Sequence, residues 1–309
     1  MDNSIITNKL NTKIKLNNSY EMPTVGFGTY LLEDVEVNVR NAIKMGYRVI
    51  DTATLYKNEE QVGNVVNELI NNKTITREDI FITTKLWNDD QEDPVGALKG
   101  SLKKLRLDYV DLYLIHWPIG KVENGIHVKQ TPVYKIWENM EKCVELGLTR
   151  SIGVSNYNVQ LLQNLYSLAK IKPSVIQAEI HPNFSQQELV AFCKKFGITV
   201  VGFNPLAHGA STKRHKDFDK FDLFKNKTII DLSTKYKKSP AQIILNWHIW
   251  RGLGIIPKSS NLERQKENLE SINFMMEEED YIKINNINID FRSVYTKGKP
   301  HVGNIDLFA

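Results

Sequence analysis

Four side chains in the first half of the chain have the types that proton transfer needs: Asp51, Tyr56, Lys85 and His116. Asp51 closes the apolar run Tyr47-Arg48-Val49-Ile50, which has strand length and β-branched character. Tyr56 follows on the next loop, ahead of Asn58 and Glu59, where a helical pattern opens. Lys85 ends a second apolar run after Thr83-Thr84, and His116 ends a third before Trp117-Pro118. Each alone has an ordinary reading: a capped strand end, a packing tyrosine, a solvated lysine, a satisfied core histidine. In one pocket they acquire a chemistry. A free phenol has a pKa near ~10 and donates protons poorly at neutral pH. A neighbouring ammonium favours phenolate and lowers that pKa, and a carboxylate keeps the ammonium charged and in place. Asp51, Lys85 and Tyr56 would then form a general acid, with His116 orienting or polarising a substrate oxygen. Reduction of a carbonyl needs such an acid, because the alkoxide formed by hydride attack must be protonated.

For the four to meet, their strands must be neighbours with carboxyl ends on one face. Apolar strands centred on Val25, Val49, Ile82, Leu114, Ile152, Ile176, Val201 and Ile255 alternate with helical patterns. The patterns cover 33–45, 59–71, 94–105, 137–146, 158–169, 186–196, 227–236, 240–250 and 262–269, with a Ser239-Pro240 start signal before the eighth. Eight such strands, apolar on both faces, predict an α/β protein with a closed (β/α)8 barrel; a doubly wound open sheet is the alternative. Gly26-Phe27-Gly28 lacks the third glycine of a dinucleotide fingerprint and adds little to that alternative. Ile14-Lys15-Leu16 and Tyr20-Glu21-Met22, around Asn17-Asn18-Ser19, read as a β-hairpin capping one end. No linker divides the chain, so residues 1–13 are expected to form a flexible lead and 14–309 a single domain. The longer loops at 117–132 and 206–226, and the tail from 291, are expected to carry substrate or cofactor contacts.

Charge is balanced, with 40 Lys+Arg against 36 Asp+Glu in 309 residues, and the net +4 argues for neither nucleic acid nor a membrane surface. The cluster Lys213-Arg214-His215-Lys216 reads as solvated. Cys143 and Cys193 sit among apolar neighbours as small buried hydrophobes, which suits a reducing, cytoplasmic setting. No run reaches membrane-spanning length, and residues 1–13 lack the apolar core of a signal peptide. The expected partner is a small molecule, and the expected assembly a monomer or dimer.

Tyr47-Arg48-Val49-Ile50-Asp51-Thr52-Ala53, Thr84-Lys85-Leu86-Trp87 and Leu114-Ile115-His116-Trp117-Pro118 resemble segments of the aldo-keto reductases. So do Ile152-Gly153-Val154-Ser155-Asn156-Tyr157, Gln177 with His181-Pro182, and Ile256-Pro257-Lys258-Ser259 with Arg264, Glu267 and Asn268. The resemblance runs from the hairpin to the tail. It implies a barrel that binds a nicotinamide cofactor, with Asp51, Tyr56, Lys85 and His116 as the catalytic four. It implies Ser155, Asn156 and Gln177 at the nicotinamide carboxamide, and Lys258, Ser259 and Arg264 at the adenosine 2′-phosphate, with Glu267 and Asn268 at the adenine. Gly28, Thr29, Tyr30, Asp51, Leu206, Ile256, Ser260 and Asn261 would lie along the same cofactor. Phe203 stands where the family usually stacks a tyrosine, and Asn204 where it has a serine. A lysine and an arginine facing a phosphate favour NADPH, with NADH a weaker alternative. Tyr30, Tyr56, Trp87, His116 and Trp117 would line an aromatic pocket for aldehydes, including open-chain aldoses, and for ketones. Two rival readings are a non-catalytic, cofactor-binding barrel of the channel β-subunit type and a metal site drawn from His116, His181 and His208.

Overall fold

The structure, a computed structural model, describes residues 12–124, 126–207 and 221–294. It opens with β1 (Lys13–Lys15), β2 (Glu21–Pro23), β3 (Phe27–Gly28), α1 (Val35–Met45), β4 (Val49–Asp51) and α2 (Glu59–Asn71). β5 (Phe81–Leu86), α3 (Pro94–Leu105), β6 (Val110–Ile115), β7 (Lys121–Glu123), β8 (Ile126–Lys129) and α4 (Val133–Glu145) follow. Then come β9 (Thr149–Ser155), α5 (Val159–Leu168), β10 (Val175–Glu179), α6 (Gln187–Lys195), β11 (Thr199–Phe203) and α7 (Lys227–Tyr236). The last elements are α8 (Pro240–Trp250), β12 (Gly254–Ile255), α9 (Leu262–Glu270) and α10 (Glu278–Asn285).

Eight parallel strands are ordered β3-β4-β5-β6-β9-β10-β11-β12. The ends of this sheet meet: Val25 bridges Ile255 in parallel, and Gly26 N donates to Ile255 O at 2.7 Å. Strand alternation then sorts side chains into two cores. Ile50, Ile82, Tyr113, Ile115, Ile152, Val154 and Ile176 point outward into the layer shared with the helices. Val49, Phe81, Leu112, Leu114, Val175, Val201 and Ile256 point into the barrel, where Leu16 and Met22 of the β1–β2 hairpin fill the floor. The hairpin is docked by its polar turn: Asn17 and Asn18 donate to the carbonyls of Pro173 and Arg150, each at 3.0 Å.

Several elements differ from the expectation. Lys13, placed in the flexible lead, pairs with Pro23 in β1. The loop 117–132 contains an antiparallel hairpin, β7–β8. α4 begins at Val133 directly after Pro132, which has no N–H to satisfy at the helix entry. α10 lies beyond the last helical pattern expected, 262–269, and opens within the acidic run Glu277-Glu278-Glu279-Asp280. Its Asp280 is buried and accepts from Lys235 at 2.7 Å, Lys283 at 2.6 Å and the Tyr236 hydroxyl at 2.6 Å. Much of the loop 206–226 and of the tail from 291 lies outside the described residues.

Gly153 marks a close approach between neighbouring strands. A Cβ there would lie 2.1 Å from the Val175 carbonyl oxygen and 2.9 Å from Leu114 Cδ2. Gly153→Ala should therefore destabilise the fold by about 1–3 kcal/mol, the usual cost of overpacking. A lowered denaturant midpoint at unchanged slope is the expected result; an unshifted midpoint would mean that the strands separate freely here.

Candidate active site

The inward parity that fills the barrel with apolar groups also carries the polar ones, at the carboxyl ends of the strands. Asp51 follows Val49, Lys85 follows Phe81 and Thr83, and His116 follows Leu112 and Leu114, each at a spacing of two. Asp51 sits in register with Thr83, and Lys85 with Leu114, so the three strand ends share one rim. Tyr56 arrives from a short 3₁₀ turn, Thr54–Tyr56. That turn is buckled to the barrel by Asn58, whose amide donates to Thr29 O at 2.9 Å and accepts from the Thr52 hydroxyl at 2.7 Å.

The Lys85 ammonium is fully buried and donates to Asp51 Oδ1 at 2.6 Å, to Thr52 O at 2.9 Å and to the Tyr56 hydroxyl oxygen at 3.3 Å. Asp51 Oδ2 accepts from Gln177 Nε2 at 2.7 Å, across the barrel. The Tyr56 ring packs against Tyr30 at 5.0 Å between centroids and against His116 at 5.7 Å. Trp87 meets the His116 ring edge-on at 5.4 Å, and Trp117 stacks on it at 6.4 Å. The expected residues Asp51, Tyr56, Lys85, His116, Tyr30, Trp87 and Trp117 thus meet at one mouth.

The electrostatics differ from the expectation in one respect. Burial, and then Asp51, push the Tyr56 phenol well above its ordinary value. Burial also lowers Lys85, against the pull of Asp51. The lysine's charge is largely answered by Asp51, so desolvation outweighs its effect on the phenol. Tyr56 therefore holds its proton firmly. Because Lys85 occupies a lone pair of the phenol oxygen, the hydroxyl hydrogen is left to face another acceptor.

The residues expected at a nicotinamide carboxamide gather beside this group. Ser155 pairs in register with Gln177, and Asn156, in a left-handed conformation at φ 63°, donates to His116 O at 2.9 Å and to Ser155 Oγ at 3.1 Å. With their amide nitrogens so engaged, Gln177 and Asn156 keep carbonyl oxygens as acceptors and Ser155 keeps a hydroxyl donor. That donor set fits a primary amide. Phe203 closes β11 beside them, half-buried, and Ile256 lines the upper interior.

Farther along the rim, Lys258, Ser260, Asn261 and Arg264 are exposed at the start of α9, where Asn261 caps the helix by accepting from Arg264 N at 3.0 Å. Among the described residues neither Lys258 nor Arg264 is paired with a carboxylate; Lys258 only approaches Leu31 O at 3.5 Å. Two unanswered cations at a helix N-terminus fit a phosphate dianion. Ser259 accepts from Asn261 N at 3.1 Å, holding this corner in shape, and Asn268 is buried on α9.

Other expected cofactor residues have internal partners. Gly28 pairs in register with Asp51, and the Thr29 hydroxyl donates to Asp51 O at 2.9 Å. The Glu267 carboxylate accepts from Ser239 Oγ at 3.4 Å, and Leu206 packs on the outer core. Asn204 donates to Ser293 Oγ at 2.8 Å and to Glu179 Oε1 at 3.4 Å. Sequence reasoning missed the roles of Thr52 and Asn58, whose signal was only a polar pair in a tight loop, and of Glu179, which reads as one more strand-end acid. His181 faces Glu179 at 3.1 Å, and His208 lies outside the described residues.

Known proteins are similar to this chain over most of its length. Residues 24–289 match the model of the Aldo/keto reductase family. The chain is 40% identical to an NADP-dependent D-sorbitol-6-phosphate dehydrogenase of Malus domestica, over 91% of this chain and 95% of that protein. It is also 40% identical to aldose reductase C of Dictyostelium discoideum, over 93% of this chain and 92% of that one. A crystal structure of a Bombyx mori aldo-keto reductase in complex with NADP superposes with a TM-score of 0.83 at 38% identity, covering 91% and 94% of the two chains. By its motifs, its closed barrel and these matches over nearly its whole length, the chain belongs to the aldo/keto reductase family.

Proposed function

We propose that this protein reduces aldehydes, open-chain aldoses among them, and ketones to alcohols, using NADPH, with Tyr56 as the general acid. The observation that carries the reading is the Asp51–Lys85–Tyr56 chain of contacts, ending in a phenol whose ring meets Tyr30 and His116, with Trp87 against the histidine. NADPH, when bound, supplies the hydride that adds to the carbonyl carbon. Gln177, Asn156 and Ser155 would hold the nicotinamide carboxamide, and Phe203 would offer a ring face for stacking, which needs no hydroxyl. Lys258 and Arg264 would take the 2′-phosphate, the group that NADH lacks.

The substrate oxygen accepts from the Tyr56 hydroxyl, whose proton is directed away from Lys85. As negative charge grows on that oxygen, the proton crosses to it, and the charge left on the phenol oxygen faces the ammonium of Lys85. Lys85 thereby favours the product of the transfer more than the resting phenol, which is where binding energy accelerates a reaction. His116, fixed through its carbonyl by Asn156, borders the same oxygen. The aromatic walls exclude water from it. Trp87, Trp117 and Tyr30 suit apolar and aromatic aldehydes, and the likeness to an aldose reductase supports including aldoses.

Four single variants and one double variant test this reading. Tyr56→Phe keeps the ring and removes the proton, so single-turnover reduction of a reactive aldehyde should slow by at least ~10²-fold while NADPH affinity holds. A rate within about threefold of the parent would remove Tyr56 from the role. Lys85→Met and Asp51→Asn should each slow the same step, with folding checked by thermal melting. Acting as one unit, the double variant should lose far less than the two losses combined, whereas additive losses would separate their roles. Arg264→Ala should raise the Michaelis constant for NADPH roughly ten- to a hundredfold and leave that for NADH nearly unchanged. Equal losses for both cofactors would assign Arg264 to the fold, and no loss would place the phosphate elsewhere.

A further inference from the structure

Glu179, the last residue of β10, is buried and takes no part in the proton path above. Its Oε1 accepts from the backbone N–H of Ser293 at 3.0 Å and of Val294 at 3.2 Å, and from the Ser293 hydroxyl. The same oxygen accepts from the Asn204 amide at 3.4 Å and faces His181 Nε2 at 3.1 Å. Oε2 accepts from Val294 N at 3.0 Å, and the Arg292 guanidinium stands 4.0 Å away. Burial opposes the charge, but the hydrogen bonds from His181 and Ser293, with Arg292 nearby, outweigh it and hold the carboxyl below its usual range.

Most of these donors belong to one short segment, 292–294, and Asn204 ties that segment to the end of β11 through Ser293. Val294, whose N–H the carboxylate holds, packs its side chain on the cluster of Trp117 and Ile119, against which Trp87 also rests. A single carboxylate on the barrel rim is therefore one residue removed from the wall of the aromatic pocket.

We propose that Glu179 is a positioning residue whose carboxylate clasps 292–294 to the rim and so sets where Val294 stands against Trp117. The consequence for substrate choice rests on the reading of that pocket as the carbonyl site; the clasp itself does not. Without it, the wall loosens on the side that an aromatic aldehyde would press, while the cofactor residues on β9 and β10 stay in register. A small aldehyde, which does not reach Val294, would be indifferent.

Glu179→Gln keeps the shape but turns an amide NH₂ toward donors, breaking the clasp. Hydrogen exchange at the Ser293 and Val294 amides should accelerate by at least about tenfold, with Ser293→Ala moving it in the same direction by less. KM for a benzaldehyde should rise severalfold, with kcat, NADPH affinity and KM for propanal within about twofold of the parent. Val294→Ala should reproduce the KM pattern with the exchange unchanged. Unaltered exchange in Glu179→Gln would overturn the clasp. A parallel rise in KM for both aldehydes, or a matching loss of NADPH affinity, would overturn the positioning role in favour of a general structural one. If Glu179→Gln does not fold, Ser293→Ala must show both the faster exchange and the KM split, and its failure to do so overturns the proposal. A parent protein that oxidises no NADPH with either aldehyde would sink the carbonyl-reductase reading, and exchange would still decide the clasp.

Discussion

An ammonium buried at the mouth of the barrel constrains everything around it. Desolvating Lys85 and Asp51 costs several kcal/mol per ion, while their attraction at 2.6 Å returns about 6 kcal/mol at an effective dielectric of about 20. The pair alone is thus near balance. The Thr52 carbonyl on the ammonium and the Gln177 amide on the carboxylate tip it toward stability, because they answer the remaining donor and acceptor positions. That requirement links β4, its following loop, β5 and β10. Displacing any of them leaves a buried charge short of partners, at a cost of ~3–5 kcal/mol if one partner is lost. The interaction is weak evidence for extra stability and strong evidence for a fixed arrangement.

The same pair explains why Tyr56 does not behave as a simple tuned phenol. A cation at 3.3 Å would lower its pKa if the cation were unanswered, but Asp51 sits closer to the lysine than the tyrosine does. Burial then decides the sign. In the proposed mechanism Lys85 would act less by making the resting phenol acidic than by setting where its proton points and by facing the charge that appears when the proton leaves. In the proposed reduction this is the more useful role, since a protonated donor is the form required.

Asp51 and Glu179 make an instructive pair, both acids on inward positions at strand ends and both buried. Asp51 gathers Lys85 and Gln177, the groups around the proposed proton path. Glu179 gathers the tail and the end of β11, including the Asn204 amide that replaces the family's usual serine. Their divergence follows from what approaches each strand end: a 3₁₀ turn with a phenol in one case, a returning chain of backbone N–H groups in the other.

The amino-acid sequence by itself determined the strand–helix alternation, because apolar runs and helical periods record burial locally. It also determined the parity of Asp51, Lys85 and His116 on their strands, since a spacing of two cannot be altered without moving every neighbour to the other face. Those two facts sufficed to bring these three residues to one rim, while Tyr56 reaches it on a turn that Asn58 holds, and the family motifs extended the rim to the row Ser155, Asn156 and Gln177. Tertiary structure alone decided the rest. α10 was missed because its acidic first turn carries no local sign of burial; Asp280 is buried by Lys235 and Tyr236, which reach it from α7, together with Lys283 of α10 itself. The rise in the Tyr56 pKa depends on how much water the assembled mouth excludes, which no local pattern encodes. Glu179 met its tail for the same reason: its donors there, Ser293 and Val294, lie more than a hundred residues away, and only closure of the barrel brings them within hydrogen-bond distance.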